Sequence, residues 1–126
     1  MSFHWADYLT LAQELTSSSA ESSIREAYLR SAISRAYYAA FSEARDYLVD
    51  TVGEQVPSDR NVHQYVADTF ERSSDTRHRR VGGYLRHLRL NRNRADYSSR
   101  IPGDLLVITR DALLEAKRII KLLRTL

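Results

Sequence analysis

The chain has 126 residues, 43% apolar and 28% charged, and a formal net charge of +3; that is enough for one hydrophobic core and excludes intrinsic disorder. It has no cysteine, which excludes disulfides and thiolate metal sites and fits a reducing compartment. No stretch approaches the roughly 20 apolar residues of a transmembrane helix, and no basic stretch followed by an apolar run opens the chain, so a soluble, cytoplasmic, single-domain protein spanning 1–126 is expected.

Four glycines and two prolines, with no sustained alternation of β-branched and polar residues, predict helices. The first runs from about His4 to Leu15 and ends in Thr16-Ser17-Ser18-Ser19. The second, from about Ala20 to Val49, carries the apolar stripe Leu29, Ile33, Ala36, Tyr37, Ala40, Ala44 and Leu48, spaced by threes and fours as a 3.6-residue period requires. Beside it lies a second row, Tyr28, Ser31, Arg35, Tyr38 and Ser42, suited to a polar groove, a dimer contact or a plain boundary stripe with its polar tips in water.

Gly53 to Arg60 reads as a loop, and Asn61 is the candidate cap of a short third helix, Val62 to Phe70. Ser73-Ser74-Asp75 supplies caps for a fourth, Thr76 to Ala95. Its Gly82-Gly83 pair marks a kink or a close approach to a neighbour, since each glycine costs about 1 kcal/mol relative to Ala in a helix interior. Ile101-Pro102-Gly103-Asp104 punctuates. The last helix starts at Leu105 and has two apolar stripes, Leu106, Leu113, Ala116, Ile120 and Leu123 beside Leu105, Ile108, Ala112, Ile119, Leu122 and Leu126, so it is either central or part of a subunit interface. The expected fold is all-α, an up-and-down bundle of four to five antiparallel helices.

Charge is segregated along the chain. Residues 72–100 hold nine arginines against Asp75 and Asp96, a local charge of +7, which leaves −4 for the remainder. A concentrated basic segment is the footprint of a polyanion partner, because each neutralised phosphate releases counterions; a solvated helix face, or pairing with acids elsewhere, gives the same pattern. Within the segment, the stripe Val81, Tyr84, Leu85 and Leu88 continues onto Arg92 and Ala95. Arg92 is therefore expected to face inward, unlike Arg79, Arg86, Arg89 and Arg94. Asp96 follows one turn later, so Arg92, Asp96 and Tyr97 form one constellation. It suits either a phosphate clamp, for which the planar guanidinium is well shaped, or a pair that simply secures the helix end. His4, His63, His78 and His87 have no metal-ligand spacing, so no metal is expected. No Gly-rich phosphate loop or nucleophile elbow occurs either.

Two segments carry a family resemblance. Ser34-Arg35-Ala36-Tyr37-Tyr38-Ala39-Ala40-Phe41 resembles the RAYYAxF-type segment of HEPN domains, and Arg92-Asn93-Arg94-Ala95-Asp96-Tyr97 resembles their RNxADY segment, with a His-containing short helix (His63) between the two. The resemblance spans nearly the whole chain. It implies a homodimeric helical bundle, often encoded beside a minimal nucleotidyltransferase in a toxin–antitoxin or defence-type pair. Active ribonucleases of the family cut RNA without metal or cofactor, with the 2′-hydroxyl as nucleophile, using an Arg, a polar residue and a His four to six residues beyond the Arg.

Carried onto this chain, the resemblance makes Arg92, Asn93 and Tyr97 the catalytic candidates. Arg35, Tyr38, Arg89, Arg92, Arg94 and Asp96 become the nucleotide- or RNA-binding ones. Tyr97 stands where active members have His. A phenol near pKa 10 is a poor general base at neutral pH, whereas an imidazole near 6.5 is suited to the task. His87, five residues before Arg92, is a candidate to supply the missing imidazole from the preceding turn. By the same resemblance, Tyr97 is a candidate acceptor for adenylylation by the partner. The rival reading is a non-catalytic subunit that docks the nucleotidyltransferase or another protein. A helical DNA-binding regulator ranks below both, because no helix-turn-helix spacing is present.

Overall fold

The computed structural model describes residues 2–126 and is all-helical, with no strand among them. Five helices follow in order: α1 (Asp7–Ser17), α2 (Ser22–Tyr47), α3 (Val62–Glu71), α4 (Thr76–Tyr97) and α5 (Leu105–Leu123). They pack as a helical bundle, and none is long and apolar enough to cross a membrane.

The ends follow from local chemistry. The Asp75 carboxylate accepts the Arg77 N–H at 2.7 Å and starts α4. Asp104 accepts from the N–H groups of Leu106 and Val107 and starts α5. Each satisfies amides that a helix N-terminus leaves without intrahelical partners. Asn61, the expected cap of α3, makes no side-chain cap bond. Its own N–H instead donates to Asp59 Oδ1 at 2.9 Å, an Asx turn that delivers the chain into the helix. Helix α2 does not stop cleanly at Tyr47. It widens into one π-helical turn, Leu48–Val52, closed by Gly53 at φ +84°, where the Glu54 N–H returns to the Leu48 carbonyl. Only glycine adopts that left-handed backbone without strain.

Helix α2, not α5, is the axis of the bundle. It packs against α1, α4 and α5, while α3 sits mainly on α4. Both apolar stripes of α5 are consumed within the chain, since α5 lies against α2, α4 and α1 at once. Tyr37, Ile33, Phe70, Leu85, Leu88 and Ile119 are the large side chains at the centre.

The glycine pair of α4 divides into two roles. A Cβ on Gly82 would come within 3.0 Å of the Ala67 carbonyl oxygen and the Glu71 nitrogen, so α3 and α4 touch backbone to backbone there. A Cβ on Gly83 would meet nothing within 4 Å. Gly82→Ala is expected to destabilise by about 1–3 kcal/mol through overpacking, whereas Gly83→Ala should stabilise by up to about 1 kcal/mol through helix propensity. Thermal unfolding of the two variants checks this; equal effects would show that the α3–α4 contact is looser than described.

Candidate nucleic-acid interface

The two segments singled out in the sequence meet where α4 ends against α2. The joint is fastened by Arg30 of α2, whose NH1 donates to the carbonyls of Ala95 and Ser98 and whose NH2 donates to that of Ser99. A cation on the last carbonyls of a helix satisfies orphan acceptors and opposes the negative end of the dipole. Nothing in the spacing of α2 marks Arg30 for this task.

With the helix end held, Arg92 turns inward and its side chain is 12% exposed. Its Nε donates to Asp96 Oδ2 at 3.0 Å, NH1 to Asn93 Oδ1 at 2.9 Å and NH2 to the Tyr38 hydroxyl at 2.7 Å. Asp96 Oδ2 also accepts from the Ser34 hydroxyl. One guanidinium thus ties the second motif segment to the first. A guanidinium has five N–H donors, so these three bonds leave two for a ligand. The Arg92 carbon lies 5.1 Å from the centre of the Tyr38 ring, 5.7 Å from that of Tyr37 and 5.8 Å from that of Tyr97. Tyr97 itself is 76% exposed.

Guanidinium and ring groups continue along α2. Arg35 stacks between Tyr8 of α1, at 4.6 Å, and Tyr38, at 5.3 Å. Arg45 covers Trp5 and Phe41, and the Trp5 indole N–H donates to Asp46. The row Tyr28, Ser31, Arg35, Tyr38 and Ser42 is divided by this packing: Ser31 is exposed, Ser42 is buried, and the other three lie between. Arg94 is exposed on the outer face of α4.

A second feature lies one helix row away. Between α3 and α4 runs an open cleft of about 230 Å³, lined on its polar side by Tyr37, His63, Arg86, Arg89 and Asn93. Asn93 serves both places, with its carbonyl oxygen on Arg92 and its side chain on the cleft. Arg89, expected to face outward, is half-buried here instead. The row Val81, Leu85, Arg89, Asn93 rises in steps of four and faces α3. Arg86 is neutralised by Asp68 and Glu71. Arg89 has no such carboxylate, and its Nε is buried without an acceptor.

His63 shares a 2.6 Å hydrogen bond between Nδ1 and the Tyr37 hydroxyl and packs 4.4 Å from the Phe41 ring centre. Burial, then the nearby charges of Arg89, Arg92 and Arg45, lower its pKa to about 4. Burial also pushes the Tyr37 phenol far above its usual range. At neutral pH both groups are uncharged and the imidazole Nε2 is left unengaged. The sequence placed His63 on the right helix without giving it a role.

The other histidines are occupied elsewhere. His87 Nδ1 donates to Glu115 of α5, at 2.7 and 2.9 Å to its two oxygens, so it does not serve the Arg92 cluster. Both ring nitrogens of His78 are bonded, to Tyr47 and Ser73. No group of three potential metal ligands occurs among the described residues.

A histidine held neutral by its surroundings opposes folding where the unfolded chain would take up the proton. Native stability should therefore be full above pH 6.5 and fall as pH drops from 6.5 toward 4. The loss attributable to His63 is about 1–2 kcal/mol, reduced by its partial solvent contact from what the full shift would give. In His63→Asn, which keeps an acceptor for Tyr37, that part of the pH dependence should vanish from urea unfolding curves. An unchanged profile would mean that His63 titrates normally in the fold.

No family model, curated protein or solved structure matches this chain, so a functional reading stands on its own residues and their geometry.

Proposed function

We propose that the protein is a HEPN-like module that binds single-stranded RNA or a nucleotide where α4 ends against α2. The observation that carries this is an exposed ring beside a basic anchor. Tyr97 is open to solvent and 5.8 Å from Arg92, at the end of a segment with a net charge of +7. Unpaired bases stack on tyrosine rings and on guanidinium planes, and single strands are the nucleic acids whose bases are free to do so.

In this reading Tyr97 stacks a base and Arg92 gives its two remaining N–H groups to a phosphate. Asp96 and Tyr38 hold Arg92 in place, while Arg35, Arg89 and Arg94 add long-range attraction. Binding is the core of the proposal. Metal-free cleavage needs a group that removes the 2′-hydroxyl proton. Within one chain Tyr97 occupies that place and His87 is committed to Glu115. Cleavage would then rely on a composite site in a homodimer, as the family resemblance implies. The resemblance also supplies the biological setting, a nucleotidyltransferase-paired system.

A second reading, a subunit that docks a protein partner such as the nucleotidyltransferase, draws on a separate fact. Three of the five Arg92 donors are spent inside the chain, as in a purely structural clamp.

Fluorescence anisotropy with a labelled single-stranded RNA separates the two. Phosphate contacts predict a log–log salt slope of roughly −0.7 per contact. Tyr97→Ala should weaken binding by about 1–3 kcal/mol, the worth of one stacked base, with an unchanged melting temperature because the ring is exposed. Arg92→Ala should lower both affinity and stability. A flat salt response with wild-type affinity in Tyr97→Ala would favour the docking subunit. Total RNA and tRNA incubated without metal test turnover, with loss of cleavage in Arg92→Ala the result expected of a nuclease.

A further inference from the structure

The α3–α4 cleft is distinct from the Arg92–Tyr97 face, although Asn93 borders both. Its electrostatics are unusual for the interior of a small protein. Two arginines line it and no carboxylate does. Arg86, at the rim, is already compensated by Asp68 and Glu71. Arg89 is half-buried, without a counter-ion, and its Nε has no acceptor. Leaving a partly desolvated charge unpaired is unfavourable, and an anion in the cleft would relieve it. Neutral donors border the same space: the Asn93 amide and, with the Tyr37 hydroxyl donating to Nδ1, the His63 Nε2–H.

We propose that this cleft is a phosphate subsite in which Arg89, His63 and the Asn93 side-chain amide grip a single phosphate group of a nucleotide. The identity of the ligand as a nucleotide rests on the function proposed above; the anion site rests on the cleft alone. At about 230 Å³ it lies below the range of pockets that enclose whole drug-sized ligands, roughly 300–1,000 Å³. It suits one phosphate with part of its sugar. Ala67, Leu85 and Leu90 complete the lining and give the non-ionic part of such a ligand an apolar surface.

Binding is coupled to a proton. His63 faces Tyr37, Tyr38 and Arg45 from α2 and Arg89 and Arg92 from α4, and these three cations help to keep it neutral. A phosphate dianion between Arg89 and His63 offsets that field, so the imidazole takes up a proton from solvent and becomes a charge-assisted donor. The empty site therefore holds a neutral histidine and the filled site an imidazolium. Affinity for a phosphate monoester should rise as pH falls from 7 to about 6 and level off below, where the ligand itself carries the proton that the imidazole takes.

The test follows the His63 ring resonances by NMR across pH, without ligand, with inorganic phosphate, and with adenosine 5′-monophosphate. The midpoint should stand at about 4 in the free protein and move up by at least two pH units at saturating ligand. Arg89→Gln should weaken both ligands tenfold or more, and His63→Asn should lose the gain in affinity between pH 7 and about 6. An unshifted midpoint at saturating ligand, or undiminished affinity in Arg89→Gln, would overturn the proposal. So would the absence of binding at millimolar concentrations. RNA affinity measured on the same preparations keeps the two readings apart. RNA binding that needs Tyr97 but survives without phosphate binding removes the subsite alone, and phosphate binding without RNA affinity removes only the earlier proposal.

Discussion

The closeness with which α4 and α5 can approach α2 is the constraint on which the rest of the molecule depends. Ala32, Ala36, Ala39, Ala40 and Ala44 are fully buried along α2, and helices separated by methyl groups approach more closely than helices separated by leucines. That proximity lets polar side chains of α2 reach across. Ser34 touches Asp96, Tyr38 touches Arg92, and Arg30 covers the carbonyls at the end of α4. With larger residues in the stripe, the two motif segments would be held apart and Arg92 would lose the acceptor that turns it inward.

The surroundings of this joint are rich in cations and poor in acids. Arg35, Arg45, Arg89 and Arg92 gather around Tyr8, Tyr37, Tyr38, Phe41 and His63. Ring faces attract guanidinium groups and lessen their mutual repulsion, which explains how the fold accommodates the crowd without a matching set of carboxylates. The arginines still differ in kind. Arg86 and Arg92 are satisfied largely within the chain, whereas Arg89 is partly desolvated and unpaired. The first two lend rigidity. The third is the one whose surroundings an anion would most improve.

Much of the architecture was legible in advance because 3.6-residue apolar periodicity is a strong signal over long helices, and α2, α4 and α5 are long. Ser73-Ser74-Asp75 also announced the start of α4, and the break at Ile101-Pro102-Gly103-Asp104 the start of α5. What escaped depended on three-dimensional neighbours. The π-helical turn after Tyr47 leaves no mark in the pattern. The double stripe of α5 could not reveal that α2 would be the axis, because apolar breadth says how much of a helix is covered and not by what. For the candidate site, the continuation of the apolar stripe onto Arg92 was readable. The parallel row Val81, Leu85, Arg89, Asn93 was equally available but had no partner to make it meaningful until α3 was in place. His63 and Arg30 act across helices, and single-chain spacing carries no information about such contacts.

The central claim, that nucleic acid is bound where α4 meets α2, is tested most directly by mapping a short single-stranded RNA onto the isotopically labelled protein by chemical-shift perturbation. Perturbations should centre on Asn93, Arg94 and Tyr97 and extend to Tyr38 and Arg35 across the joint. Perturbations confined to the outer surfaces of α1 and α5, or none under conditions where the RNA is bound, would contradict it.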